Sequence, residues 1–208
     1  MWAYILVSVV AYLLGSISFS VIISKKMAGF DVREKGSGNA GSTNVLRTVG
    51  KKAAALTLLC DLLKGVVSVL VAFVIGKIVK DLNNSLLVQL AGIFAVLGHT
   101  FPIFFKFKGG KGVATSLGIL LITNWQIGLI CLVFALVIMA LTRFVSLGSI
   151  LAAILYPVLT VFIHTNYLVS GNYIIFGVVL AFLVVFNHRT NVQRLLAGKE
   201  NKLSFKKK

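Results

Sequence analysis

A largely apolar, uncharged run of 22 residues at 2–23 opens the chain, and comparable runs recur at 53–75, 125–141, 147–163 and 173–186. An α-helix rises about 1.5 Å per residue, so about 20 apolar residues cross a hydrocarbon core of about 30 Å. Repeated runs of this length leave few options. Lipid cannot hydrogen-bond a backbone, and a helix satisfies its own backbone within one segment. Composition agrees where it matters, since only 12% of residues are charged, about half the share of a soluble domain. Nothing before Lys25 carries the positive charge of a cleaved signal, so run 2–23 is expected to be a retained first helix. Its Gly15, Ser16, Ser18 and Ser20 suit close helix packing. Cys60 and Cys131 fall inside apolar runs and read as small core residues rather than a disulfide or metal pair.

Two further apolar runs, 86–97 and 113–122, are short, as broken or re-entrant helices are. The basic residues then set the orientation. Segments 24–52, 105–112, 143 and 187–208 hold 7, 3, 1 and 7 Lys/Arg, which is 18 of 21. Lys77 and Lys80 fall on the opposite side, and Lys64 lies within a run. Basic loops stay cytoplasmic, so the N-terminus is placed outside and the C-terminus in the cytoplasm. The expected fold is an all-α polytopic membrane protein, a single domain over 1–208. It has seven transmembrane helices, with short broken helices around 86–122, or five if that pair is re-entrant. The net charge of +16 is thus a topology signal first, and nucleic acid is not an expected partner.

Three polar patches fall on the cytoplasmic side. The first, GSGNAGSTNVLR at 36–47, offers hydroxyls, amides and a bendable backbone without any carboxylate. That is the chemistry of an anion cradle, and also the composition of a flexible linker. In the second, GHTFPIFFKFKGGKG at 98–112, glycines and Lys111 precede a helix start, where backbone N–H groups attract anions. Its spacing is not that of a Walker A loop. The third is FNHRTNVQRLLAGKE at 186–200; if helical, it spreads His188, Asn191 and Arg194 over one broad face.

Together these patches bring Arg47, Lys106, Lys108, Lys111, Arg189 and Arg194 against one acid, Glu200. Two phosphate dianions about 5 Å apart repel by roughly 13 kcal/mol at an effective dielectric of about 20. Cations in this number suit a site that brings two phosphates together. The scarcity of carboxylates argues against Mg²⁺-dependent phosphoryl transfer, and neither a metal nor a cofactor is expected. Within run 53–75, Asp61 and Lys64 share a helix face and can pair, as a structural ion pair or as support for a site.

With these three motifs in this order, the chain resembles the acyl-phosphate-dependent glycerol-3-phosphate acyltransferases of bacterial phospholipid synthesis, nearly end to end. The resemblance implies seven helices in the cytoplasmic (inner) membrane and a cytoplasm-facing site. It also implies acyl transfer from acyl phosphate to the sn-1 hydroxyl of glycerol 3-phosphate, giving lysophosphatidate and phosphate. The acyl-phosphate-forming enzyme and the next acyltransferase are then pathway neighbours. By the same resemblance, glycerol 3-phosphate falls to Ser37, Arg47, Lys111 and Asn191. Acyl phosphate falls to Gly38, Asn39, Gly41, Thr43, Asn44, His99, Gly109, Gly110, Gly112 and Thr115. His188, Asn191 and Lys111 are the expected catalytic groups, and Arg194 and Glu200 hold the tail.

No carboxylate is an evident partner for a Ser-His-Asp triad. The expected reaction is direct attack without an acyl-enzyme, the proton passing to a phosphate oxygen or to His188. His164, on the outer side, is expected to have no role. Two competing classes remain. A transporter of phosphorylated solutes shares the broken segments but needs a site near the midplane. An acyl-CoA-dependent acyltransferase would bring a His-x4-Asp pattern, which the chain lacks.

Overall fold

Ten α-helices and two single-turn 3-10 segments make up the computed structural model, which describes residues 1–163 and 167–203. In order they are α1 (Trp2–Gly15), α2 (Phe19–Ala28), α3 (Ser42–Thr48), α4 (Lys51–Ile78), α5 (Asn84–Thr100), α6 (Val113–Thr123), α7 (Trp125–Thr142), α8 (Val145–Phe162), α9 (Ile174–Asn187) and α10 (Arg189–Leu196). The 3-10 turns are Val32–Glu34 and Ile103–Phe105. Among the described residues, five helical stretches are long and apolar enough to cross a membrane: Trp2–Ala28, α4, Asn84–Phe105, α7 and α8. A sixth is added if α9 and α10, bent by 61°, are taken as one. α6 has 11 residues and is about 16 Å long. His164 lies outside the described residues.

The first run is not one helix. It breaks at Ser16–Ser18, and the break frees a backbone carbonyl at Ile17, a half-buried residue. Lys64, on α4, donates to that carbonyl at 2.9 Å, and Asp61 one turn earlier balances its charge at 3.0 Å. Both side chains are only 3% exposed. An unwound carbonyl at this depth needs a donor, which supplies a physical reason for a charged pair inside an apolar helix. Polar segment 24–52 is likewise more ordered than a loop, holding the end of α2, a 3-10 turn and α3.

Helices α5 to α9 close a ring: α5 packs on α6, α6 on α7, α7 on α8, α8 on α9, and α9 back on α5. α1 and α4 brace it from outside, α1 on α5 and α4 on both α5 and α6. Glycines permit the tightest of these approaches. A Cβ on Gly98 would lie 2.2 Å from the carbonyl oxygen of Tyr12, and one on Gly118 would lie 2.1 Å from that of Leu62. Small-residue packing of this kind drives helix association where lipid offers no hydrophobic gain.

Side-chain contacts sort the chain into two ends. At one end Tyr4 accepts from Asn83 N, Gln89 donates to Asn172 O, and Leu168 N donates to Thr123 O. At the other, Arg33 meets Phe105, Arg47 meets Asn201, Lys111 meets Asn191 and Arg143 meets Leu203. Described residues of all four basic segments thus meet at one end, and α6, though short, carries the chain from that end to the other.

Candidate active site

A cavity of about 370 Å³ opens among the three motifs and runs on between the ring helices. Its polar head takes Ser37, Asn39, Gly41, Thr43 and Asn44 from the first motif, with Arg47. From the second come His99, Lys111 and Gly112, and from the third His188, Asn191, Arg194 and Glu200. The structure therefore brings together segments that lie far apart in the chain.

The first motif is shaped by Asn44, which is 2% exposed. Its side-chain oxygen accepts from Ser37 N at 3.0 Å, and its amide donates to the carbonyls of Val32, Lys35 and Asn39 at 2.9–3.1 Å. Its NH2 group and one lone pair of its oxygen are spent on the loop. Asn44 thus both lines the cavity and organises the loop that forms this part of its wall. Gly36 and Gly38 adopt left-handed φ of 62° and 71°, which lets the chain curl around that amide.

The second motif turns on close backbone contact. A Cβ on Gly109 would sit 2.0 Å from His99 O, and one on Gly110 would sit 2.2 Å from His99 Nε2. These two glycines back His99 and do not line the cavity; neither do Gly38 and Thr115. Gly109 and Gly110 pack behind the wall, where backbone passes close by, and their N–H groups donate to Thr100 O and His99 O at 3.1 Å each. His99 in turn lies 3.6 Å from Asp61, Nδ1 to Oδ1, so a carboxylate adjoins a site histidine after all. Asp61 lines the cavity, whereas Lys64 turns away to Ile17.

The third motif is bent rather than continuous. α9 ends at Asn187, whose amide donates to Thr100 Oγ1 at 3.1 Å. The chain then turns through 61° into α10. The bend sets His188, Asn191 and Arg194 side by side, with His188 Nδ1 2.7 Å from Val184 O. That nitrogen faces an acceptor and so carries the ring proton. Glu200 closes the group, accepting from Asn191 Nδ2 and Arg194 Nε at 2.9 Å each. Burial pushes the Glu200 carboxyl up, but its bonds from Arg194 and Asn191 outweigh that and hold it below the usual range.

The electrostatics are more selective than the sequence implied. Lys106, Lys108 and Arg189 do not line the cavity; Arg189 bonds Phe186 O and lies over the Phe186 ring, 4.8 Å from its centroid. Of the six cations expected there, Arg47, Lys111 and Arg194 remain, and Arg194 is paired with Glu200. Among the described residues, neither Arg47 nor Lys111 forms an ion pair with a carboxylate. Lys111 instead donates to Asn191 Oδ1. Burial, with the charges of Arg194 and Arg47, lowers its pKa to about 8, against an opposing pull from Glu200. Two cations without counter-ions beside hydroxyls and loop amides can take up phosphate.

Beyond this head the wall becomes apolar, formed by Leu117 and Leu120 of α6, Leu132 and Ala135 of α7, Ala153 of α8 and Leu180 of α9. Ser146 and Ser149 also lie on this wall. Sequence reasoning passed over both, although two serines three apart in an apolar helix were a legible sign of a lined space. It also passed over Arg33. This side chain donates to Phe105 O at 2.7 Å and Lys108 O at 3.2 Å, and is itself held by Asp31 at 2.7 Å. It fastens the loop that carries Lys106 and Phe107, both in the left-handed region at φ 58° and 57°.

A cationic head joined to an apolar arm is what a phosphorylated acceptor and a fatty chain require, and comparison with known proteins agrees. The profile of the glycerol-3-phosphate acyltransferases matches residues 5–198. A glycerol-3-phosphate acyltransferase of Clostridioides difficile (strain 630) is 46% identical over 206 residues, covering 99% of this chain and 98% of its own. One from Bartonella henselae is 44% identical over 198 residues, covering 95% and 90%. A crystal structure of PlsY, an integral membrane glycerol 3-phosphate acyltransferase, in its glycerol 3-phosphate form superposes with a TM-score of 0.85. It is 37% identical, with 97% of this chain and 96% of that one covered. The lysophosphatidic acid form of PlsY gives 0.83 at 35% identity. The transporter reading falls with these matches: the chain belongs to the glycerol-3-phosphate acyltransferase family, all-helical integral membrane enzymes.

Proposed function

We propose that this acyltransferase takes its acyl group from acyl phosphate and delivers it to the sn-1 hydroxyl of glycerol 3-phosphate in the bacterial cytoplasmic membrane. The observation that carries the reading is the continuity of one cavity from Arg47 and Lys111, both without a carboxylate partner among the described residues, into an apolar arm between α6 and α9. Arg47 would take the acceptor phosphate as a planar fork, with Ser37 and Asn191 placing its glycerol oxygens. Lys111, at the start of α6, would hold the donor phosphate beside the loop amides of 37–43, and the apolar arm would take the chain.

The acceptor hydroxyl attacks the acyl carbonyl. The new ester C–O bond forms, the bond from the carbonyl carbon to the phosphate oxygen breaks, and phosphate leaves. The hydroxyl proton passes to a phosphate oxygen or to His188. The donor is already activated, so positioning and charge neutralisation carry the rate, without an acyl-enzyme. The products are lysophosphatidate and phosphate. Neighbouring steps are then an enzyme that forms acyl phosphate and one that acylates lysophosphatidate.

We place seven spans in the membrane, with the N-terminus outside and the site facing the cytoplasm. The Lys/Arg count favours this topology, and so does the meeting of described residues from all four basic segments at one end. α6 would complete the fourth crossing.

The test is acyl transfer by purified protein in detergent, offering glycerol 3-phosphate with palmitoyl phosphate or palmitoyl-CoA, with and without EDTA. Lysophosphatidate from the acyl phosphate alone, unchanged by EDTA, is the expected result. Product from palmitoyl-CoA alone would overturn the donor reading.

A further inference from the structure

The geometry points to Tyr156 as the residue that limits the length of the acyl chain, an inference that rests on acyl transfer as proposed above. α8 presents Ser146, Ser149, Ala153 and Tyr156 to the cavity at spacings of three and four, one stripe along a single helix face. Ser146 stands at the head, near Glu200. Ten residues on, about 15 Å along the axis, stands Tyr156. That depth is about half of a 30 Å hydrocarbon core, or one leaflet's worth of chain. Along the stripe the side chains stay small until Tyr156, where a full aromatic ring stands in the wall.

The ring is held in place. Tyr156 is 2% exposed. Its ring meets Phe176 edge to face, with centroids 6.4 Å apart and planes at 89°. Behind it runs the backbone of α9: a Cβ on Gly177 would come within 3.2 Å of Tyr156 Cε1. A wall fixed from two sides cannot yield to a longer chain without repacking α8 against α9. An acyl chain that reaches the ring gains burial for every methylene up to it and none beyond.

Chain-length profiles test this, measured as ratios of kcat/KM across lauroyl, palmitoyl and arachidoyl donors. Ratios cancel the fraction of folded enzyme. Tyr156→Ala is expected to raise arachidoyl over palmitoyl at least tenfold, since each added buried methylene counts for about fourfold, equivalent to about 0.8 kcal/mol. Ala153→Phe, about one turn nearer the head, is expected to move the profile the other way, lowering palmitoyl relative to lauroyl by a similar factor. An active wild type with unmoved profiles in both variants overturns the assignment, as does a shift toward shorter chains in Tyr156→Ala. A wild type active with acyl-CoA but not acyl phosphate defeats the donor reading instead, and the same ratios are then read with acyl-CoA donors. A wild type inactive with both overturns the assignment together with the reading on which it rests.

Discussion

Lys111 donates a hydrogen bond to the side-chain oxygen of Asn191, joining the start of α6 to α10 across 80 positions of sequence. The bond fixes a half-buried ammonium near Arg194 and Arg47, and its partial burial, with those two charges, brings the lysine down to about 8. A lysine is cationic below its pKa, and a phosphate dianion favours that form. For the free enzyme, kcat/KM should therefore fall as pH rises through about 8, by about tenfold per unit well above it. Lys111→Arg keeps its charge throughout this range and should lose the alkaline limb. A limb unchanged in that variant would exclude Lys111 as its source.

Arg47 reaches from α3 to the tail, with Nη2 3.3 Å from Asn201 O. Arg47→Ala should raise KM for glycerol 3-phosphate by about ten- to a hundredfold, the range for hydrogen bonds to charged groups. Arg47→Lys restores charge but not the fork and should fall between the two. Steady-state kinetics with varied acceptor decide it, and a kcat loss at constant KM would move Arg47 away from the acceptor.

Arg33 ties the loop of Phe105 and Lys108 to the 3-10 turn that precedes the first motif, two segments more than 70 positions apart. Arg33→Ala removes both of these bonds and leaves Asp31 without its nearest cation. A loss of about 2 kcal/mol is expected in detergent unfolding, with a fall in kcat as Gly109 and Gly110 lose their support behind His99. Wild-type stability in this variant would show that the loop is held otherwise.

Asp61 and Lys64 are an ion pair 3.0 Å apart whose lysine also serves the Ile17 carbonyl. Removing one partner leaves a buried charge alone, so Asp61→Asn should cost about 3–5 kcal/mol. Combining it with Lys64→Met should recover part of that loss but not all, since the carbonyl stays unpaired. Thermal unfolding of the two single variants and the double forms the cycle. A neutral Asp61→Asn would mean the pair is not held by charge.

The sequence alone determined that this chain is helical and belongs in a membrane, because hydropathy and Lys/Arg placement act over one segment at a time. It also marked out three polar motifs whose residue types suit phosphate, and their Ser37, Arg47, His99, Lys111, His188 and Asn191 all reach one cavity. Tertiary structure alone decided which of the cations count, since exposure removes Lys106, Lys108 and Arg189 from that cavity and a partner occupies Arg194. It decided the breaks at Ser16–Ser18 and at His188, each stabilised by groups remote in sequence: Lys64 for the first, Thr100 through Asn187 for the second. It placed Asp61 beside His99 and Tyr156 in the wall of the apolar arm. The reason is common to all of these. A buried charge or an open carbonyl is stable only if a partner meets it in space, and the partner's distance along the chain leaves no local mark.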